Sequence, residues 1–169
     1  NLWNIYSPLM APVRLNGQWL ELRDADPFDY ARVERKIPAT AELNVSFDLK
    51  AGQNNHGTLQ IEFLDAQGSA ASRIDLLPTG IMQAKGGARY GKLLSYQPDV
   101  TYHVSVQLSV ANRTATFFID GKKVGERMFF APVHSFERIA FRTGERRSFP
   151  TVDTPADWDG ILPHAGDTD

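Results

Sequence analysis

Three groups of side chains have the types and spacing that chemistry requires. The first is Asp24-x-Asp26-x-x-Asp29, three carboxylates within one short turn. Oxygen ligands set that close suit calcium, a hard cation that takes roughly six to eight of them. Aspartate also favours turns in its own right, because its side chain hydrogen-bonds the nearby backbone. The second group is a set of polar pairs two residues apart: Arg32 and Glu34, Gln60 and Glu62, Arg73 and Asp75, with His103 and Gln107 spaced on the same period. In an extended chain, i and i+2 share a face. Were these strands neighbours, the pairs would merge into one surface of mixed charge. Arg, Gln and Tyr on such a surface bind sugars, uronic acids above all. The same spacing equally describes a solvated sheet face with weak cross-strand charge pairs. The third group is aromatic: Tyr6, Phe28, Tyr90, Tyr96, Phe118, Phe129, Phe130 and Trp158 do not all fit a core alternation. A flat ring on an exposed loop can stack on a pyranose. Tyr90, in the expected loop Gly86–Gly91, and Tyr96 are the candidates, whereas Phe129 and Phe130 suit packing beneath loops.

Other chemistries find no support. The chain has four histidines, scattered, and neither H-E-x-x-H nor G-x-S-x-G occurs. No strand presents two carboxyls on one face at the spacing that retaining glycoside hydrolysis needs. The net charge of −2 and the pI near 6.1 provide no basic field for nucleic acid. The absence of cysteine excludes disulfides and thiolate metal sites. No apolar run approaches the length of a membrane span. At 169 residues the length fits one domain with a self-sufficient core. The chain starts at Asn1 rather than Met, which fits a piece of a larger, processed protein.

The elements that must position these residues are strands. From Tyr102 to Val110 apolar and polar residues alternate strictly, a period of two that a half-buried strand uses and a helix cannot. Ala115, Phe117 and Ile119 form the inward face of a second run. Asp120-Gly121 then suits a type I′ turn, in which both central residues take positive φ. A third strand starts at Lys122. Upstream, Gln18–Arg23, Tyr30–Ile37, Glu42–Lys50, Thr58–Asp65, Arg73–Leu77, Ile81–Lys85 and Lys92–Tyr96 read as strands, with Pro38 ending the second, and Phe136–Gly144 closes the series. About eleven short strands with frequent turn signals and no helical periodicity predict an all-β, antiparallel two-sheet sandwich. Residues 19–145 form that sandwich, 1–18 a segment wrapped over its edge, and 146–169, rich in proline and aspartate, an extension or linker.

The hairpin Thr114–Val124 (TATFFIDGKKV), with the closing strand after it, resembles those of concanavalin A-like and laminin G-like jelly rolls. That resemblance implies a fold shared by lectins, sugar-binding modules, glycoside hydrolases and polysaccharide lyases. Concanavalin A-like folds often hold a structural calcium, which keeps the aspartate turn as a candidate calcium site. A sugar-binding fold makes the polar sheet face of Arg32, Glu34, Gln60, Glu62 and Arg142, with Tyr90, Tyr96 and His103, the candidate ligand contacts. Jelly-roll alginate-type lyases carry Arg-x-Glu and Gln-Ile-His motifs. Here Arg32-Val33-Glu34 and Gln60-Ile61 match, but Glu62 stands where the histidine would be and no Tyr-x-Lys-x-Gly-x-Tyr motif follows. The reading reached is a non-catalytic carbohydrate-binding or accessory module of a larger secreted or periplasmic, bacterial polysaccharide-processing protein, with a catalytic domain as neighbour. An acidic-glycan lyase or hydrolase and a purely structural brace are the alternatives.

Overall fold

The computed structural model describes residues 2–25 and 29–144. Thirteen strands follow one another: β1 (Trp3–Tyr6), β2 (Val13–Asn16), β3 (Trp19–Leu22), β4 (Arg32–Thr40), β5 (Glu42–Lys50), β6 (Leu59–Leu64), β7 (Ala70–Leu76), β8 (Ile81–Gly86), β9 (Arg89–Ser95), β10 (Thr101–Ser109), β11 (Thr114–Ile119), β12 (Lys122–Met128) and β13 (Phe136–Thr143). They build a seven-stranded sheet in the order β1-β4-β13-β6-β7-β8-β9, a four-stranded sheet β12-β11-β10-β5, and a small hairpin β2-β3. All pairings are antiparallel.

The alternation from Tyr102 to Val110 does what its period demands. Val104, Val106 and Leu108 enter the core with Ala115, Phe117 and Ile119 of the next strand, and the larger sheet answers with Ile61, Phe63, Ile74, Met82 and Ile139. Phe63, Phe117 and Phe136 are wholly buried, each contributing roughly 2–3 kcal/mol through apolar surface removed from water. The sheets also lock through edge-to-face rings, Phe47 on Phe141 at 5.2 Å and Phe129 on Phe136 at 5.7 Å. Asp120 and Gly121 take φ of 51° and 77°, the conformation the Asp-Gly turn predicts.

Three expectations change. Residues 3–6 are not merely wrapped over the edge: β1 pairs with β4 from Trp3↔Arg35 to Tyr6↔Arg32 and so belongs to the large sheet. The sandwich therefore starts before residue 19. Pro38 does not end β4, which runs on to Thr40. It falls where the β4–β13 register shifts and beyond the stretch paired with β1, so its missing N–H is not called on. The Gly86–Gly91 stretch is a tight turn, with Tyr90 already on β9 opposite Lys85. The strand order, open in the sequence, has β13 follow the meander in the chain yet leave it, inserting between β4 and β6 in the other sheet. The expected extension 146–169 lies outside the described residues.

Candidate functional site

Register turns the i, i+2 pairs into two rows across the outer face of the seven-stranded sheet. One row runs Asn4, Glu34, Ala140, Glu62, Arg73, Lys85, Tyr90. The next runs Tyr6, Arg32, Arg142, Gln60, Asp75, Gln83, Lys92. Arg32, Glu34, Gln60, Glu62, Arg142 and Tyr90 therefore share one face. Ile139 lies in the core and Phe141 packs on it, which leaves Ala140 and Arg142 on the outer face.

Most of this polar face is buried. Glu34, Gln60, Glu62, Arg73, Asp75 and Arg142 are each at most 5% exposed, so charge has to be met by charge. Arg32 Nη2 donates to Glu34 Oε2 at 2.6 Å and Asn4 Nδ2 to its Oε1 at 2.9 Å, with Arg138 Nη1 3.6 Å away. Burial pushes the Glu34 carboxyl up, but the bonds from Arg32 and Asn4 and the charges of Arg32 and Arg138 outweigh it and hold the group below its usual range. Arg73 stands between two carboxylates, 3.0 Å from Asp75 Oδ1 and 3.7 Å from Glu62 Oε1. Gln60 Nε2 donates to Asp75 Oδ1 at 3.1 Å. For Asp75 burial wins over Arg73, and its pKa is raised. Glu34 and Glu62 are thus committed to ion pairs beneath the surface rather than open carboxylates.

Aromatic rings cover the charges. The Arg142 guanidinium lies 3.7 Å from the centre of the Tyr30 ring, and Tyr6 leans on Tyr30 at 4.8 Å. At the other end Arg73 Nη2 donates to the Tyr90 hydroxyl at 2.7 Å, and Lys85 Nζ sits 4.5 Å from the Phe130 ring. Burial and the charge of Arg73 push the Lys85 ammonium pKa down. The face is accessible at its two ends: at one, Asn4, Lys36 and Tyr6 are exposed, Tyr6 at 46%; at the other, Tyr90 is also 46% exposed, Lys92 is exposed and Lys85 is partly so.

Tyr96 is no surface ring. It is 2% exposed in the core and donates its hydroxyl to Leu77 O at 2.7 Å, because β9 carries it inward at the strand end. His103 lies on the four-stranded sheet, exposed, with Nδ1 2.8 Å from Asp48 Oδ1, away from the rows. Of the aspartate turn, Asp26 lies outside the described residues. Asp24 is buried and accepts from the Thr143 hydroxyl at 2.6 Å. Asp29 accepts from the Tyr30 amide and the Tyr6 hydroxyl. Among the described residues no group of three His, Asp or Glu is assembled to hold a metal. Sequence reading missed Lys85, Lys92 and Asn4, and it named Phe130 for packing, which it does against Leu64, Ala70 and Ala140, but not for its place beside Lys85. The spacing Tyr90-Gly91-Lys92 carries the signal, but the glycines on either side disguise the strand.

A family model described as "Sialidase-like, CBM domain" matches residues 3–158. The chain belongs to this family. Among solved structures, this sialidase-like CBM domain superposes on a sialidase with a TM-score of 0.88 at 59% identity, covering 99% of the domain and 16% of that chain. The domain therefore spans a small part of the protein it matches. It is also similar in fold to the carbohydrate-binding module CBM66 from Bacillus subtilis (TM-score 0.52, 9% identity, 94% of this chain and 89% of that one). A third likeness is to the Crh5 transglycosylase (TM-score 0.62, 15% identity, 98% and 72%). No curated protein matches the sequence. The expected concanavalin A-like sandwich and the reading as an accessory carbohydrate-binding module stand with these findings.

Proposed function

We propose that this module binds acidic carbohydrate at the Tyr90 end of the seven-stranded sheet and holds a larger, secreted polysaccharide-processing protein on its substrate. One observation carries the reading. On the outer face of that sheet the described residues include seven cations (Arg32, Lys36, Arg73, Lys85, Lys92, Arg138, Arg142) against three carboxylates (Glu34, Glu62, Asp75), although the whole chain has a net charge of −2. At the β8–β9 end cations meet solvent beside an exposed ring, Tyr90, with Lys92 exposed and Lys85 partly so. A sugar stacked on Tyr90 would bring its carboxylate to Lys85 and Lys92. The sialidase matched over 16% of its length supports a role as one part of a larger enzyme.

Affinity electrophoresis through gels carrying acidic or neutral polysaccharides tests this. An acidic polymer is expected to retard the domain, less so as ionic strength rises, and Tyr90→Ala or Lys92→Glu should abolish that retardation. Free migration through every acidic gel would overturn the reading. Chelator is expected to leave retardation intact; its loss would return calcium to the Asp24–Asp29 turn.

A further inference from the structure

We infer that the domain has a second carbohydrate site, for uncharged pyranose residues, in the cleft between the β2–β3 hairpin and the open edge of the small sheet. The inference rests on the carbohydrate-binding reading but concerns a different surface and a different ligand class.

The cleft follows from the mismatch between the two sheets. The small sheet stops at β5, whose inward residues Leu43, Val45, Phe47 and Leu49 remain half-exposed, whereas those of its neighbour β10 are buried. On β1, Asn4 is bonded to Glu34 on the outer face, so alternation turns Trp3 inward. The β2–β3 hairpin, turning at Gly17 with φ of 61°, pairs with neither sheet and forms the far wall. What remains is a cleft of about 780 Å³ lined by Trp3, Trp19, Phe47, Leu49, Asn16 and Gln18, among others. That volume is in the range of small-ligand sites.

The lining combines two indoles with side-chain amides. An indole face takes the apolar C–H face of a pyranose, and an amide both donates to and accepts from sugar hydroxyls. The lining carries two cations against three carboxylates: Arg23 pairs with Glu21 at 3.0 Å and Lys50 with Asp99 at 3.4 Å, and Asp48 adds a further carboxylate. Unlike the Tyr90 end, the cleft lining has no surplus of cations to favour a ligand carboxylate. Trp19, at 36% exposure on the hairpin, is placed to serve as the platform.

The test uses the 169-residue chain, whose three tryptophans, Trp3, Trp19 and Trp158, include two in the cleft. Neutral polysaccharides are run in affinity gels and their oligosaccharides titrated against tryptophan emission. At least one neutral polymer is expected to retard the domain and shift its emission. Trp19→Ala should weaken that binding tenfold or more, Gln18→Ala several-fold, and Trp19→Phe should restore part of it. Circular dichroism checks that each variant is folded. Retardation by acidic polymers alone, or neutral binding untouched by Trp19→Ala and Gln18→Ala, would overturn the second site and leave the binding module standing. Free migration through every gel would overturn both.

Discussion

Replacing Glu34 by glutamine asks whether the buried charge of the large sheet holds the fold together. The side chain is 1% exposed and gathers Arg32, Asn4 and Arg138 from three adjacent strands. Glutamine keeps the size and one acceptor but loses the charge. A hydrogen bond to a charged group contributes about 1.5–3 kcal/mol, and an arginine left without its buried partner costs more. Here the Arg32 and Arg138 side chains are 28% and 31% exposed, so water recovers part of the loss. The expected cost is about 2 kcal/mol at neutral pH, a fall of ~4–8 °C in Tm for a domain of this size. The pH dependence is sharper evidence. The carboxyl is held below its ordinary value of 4.5, so its stabilisation is complete above that value. It is lost as pH falls through the lower, folded value. Melting both proteins by circular dichroism from pH 7 downward should show the gap narrowing below about pH 4.5. A gap that is absent at pH 7, or equally wide at the lowest pH where both remain folded, would refute the assignment.

Three further outcomes are expected. A Cβ on Gly91 would sit 1.8 Å from Arg127 Nη2, the flexible tip of that side chain, which must swing aside, so Gly91→Ala should destabilise by no more than about 1 kcal/mol in urea unfolding. Arg127→Ala in the same background should recover much of that loss, in a double-mutant cycle. Thr143→Val removes the donor to buried Asp24 and the acceptor of the Ala31 amide at 2.8 Å. A loss of roughly 2–3 kcal/mol should appear in the same assay, and none would mean that Asp24 is held otherwise. Tyr96→Phe should cost about 1 kcal/mol through the lost bond to Leu77 O and leave polysaccharide retardation unchanged. Weakened retardation in that variant would reopen Tyr96 as a contact.

Where one face of a strand met the core and the other met water, alternation made the structure legible. The meander β10–β12, the inward set of β5, and Ile139 and Phe141 against Ala140 and Arg142 all follow from period two. The coplanarity of Arg32, Glu34, Gln60 and Glu62 was legible in the same way. Strand order and depth were not. Nothing local says that β13 slots between β4 and β6, yet that insertion brings Glu34 and Glu62 to either side of Ala140. Nothing local says that rings from Tyr30, Phe130 and Tyr90 close over the charges, turning an expected open surface into a buried network. β1 escaped notice because four residues flanked by irregular chain show little periodicity; its pairing with β4 is a tertiary decision.

The place of β13 also bears on how the domain is made. Its eight residues arrive late on a growing chain, yet they form an interior strand of the large sheet, joining residues 32–40 to residues 59–64. Until Phe136–Thr143 leave the ribosome, β1–β4 and β6–β9 are two ribbons with facing unpaired edges. The nascent domain must wait with its widest seam open, and contacts so distant in sequence close slowly. A strand from another chain would meet a ready template in that interval. The charges that meet across the seam, Glu34 and Arg138 among them, then make a misplaced apolar strand a poor substitute for the one that belongs there.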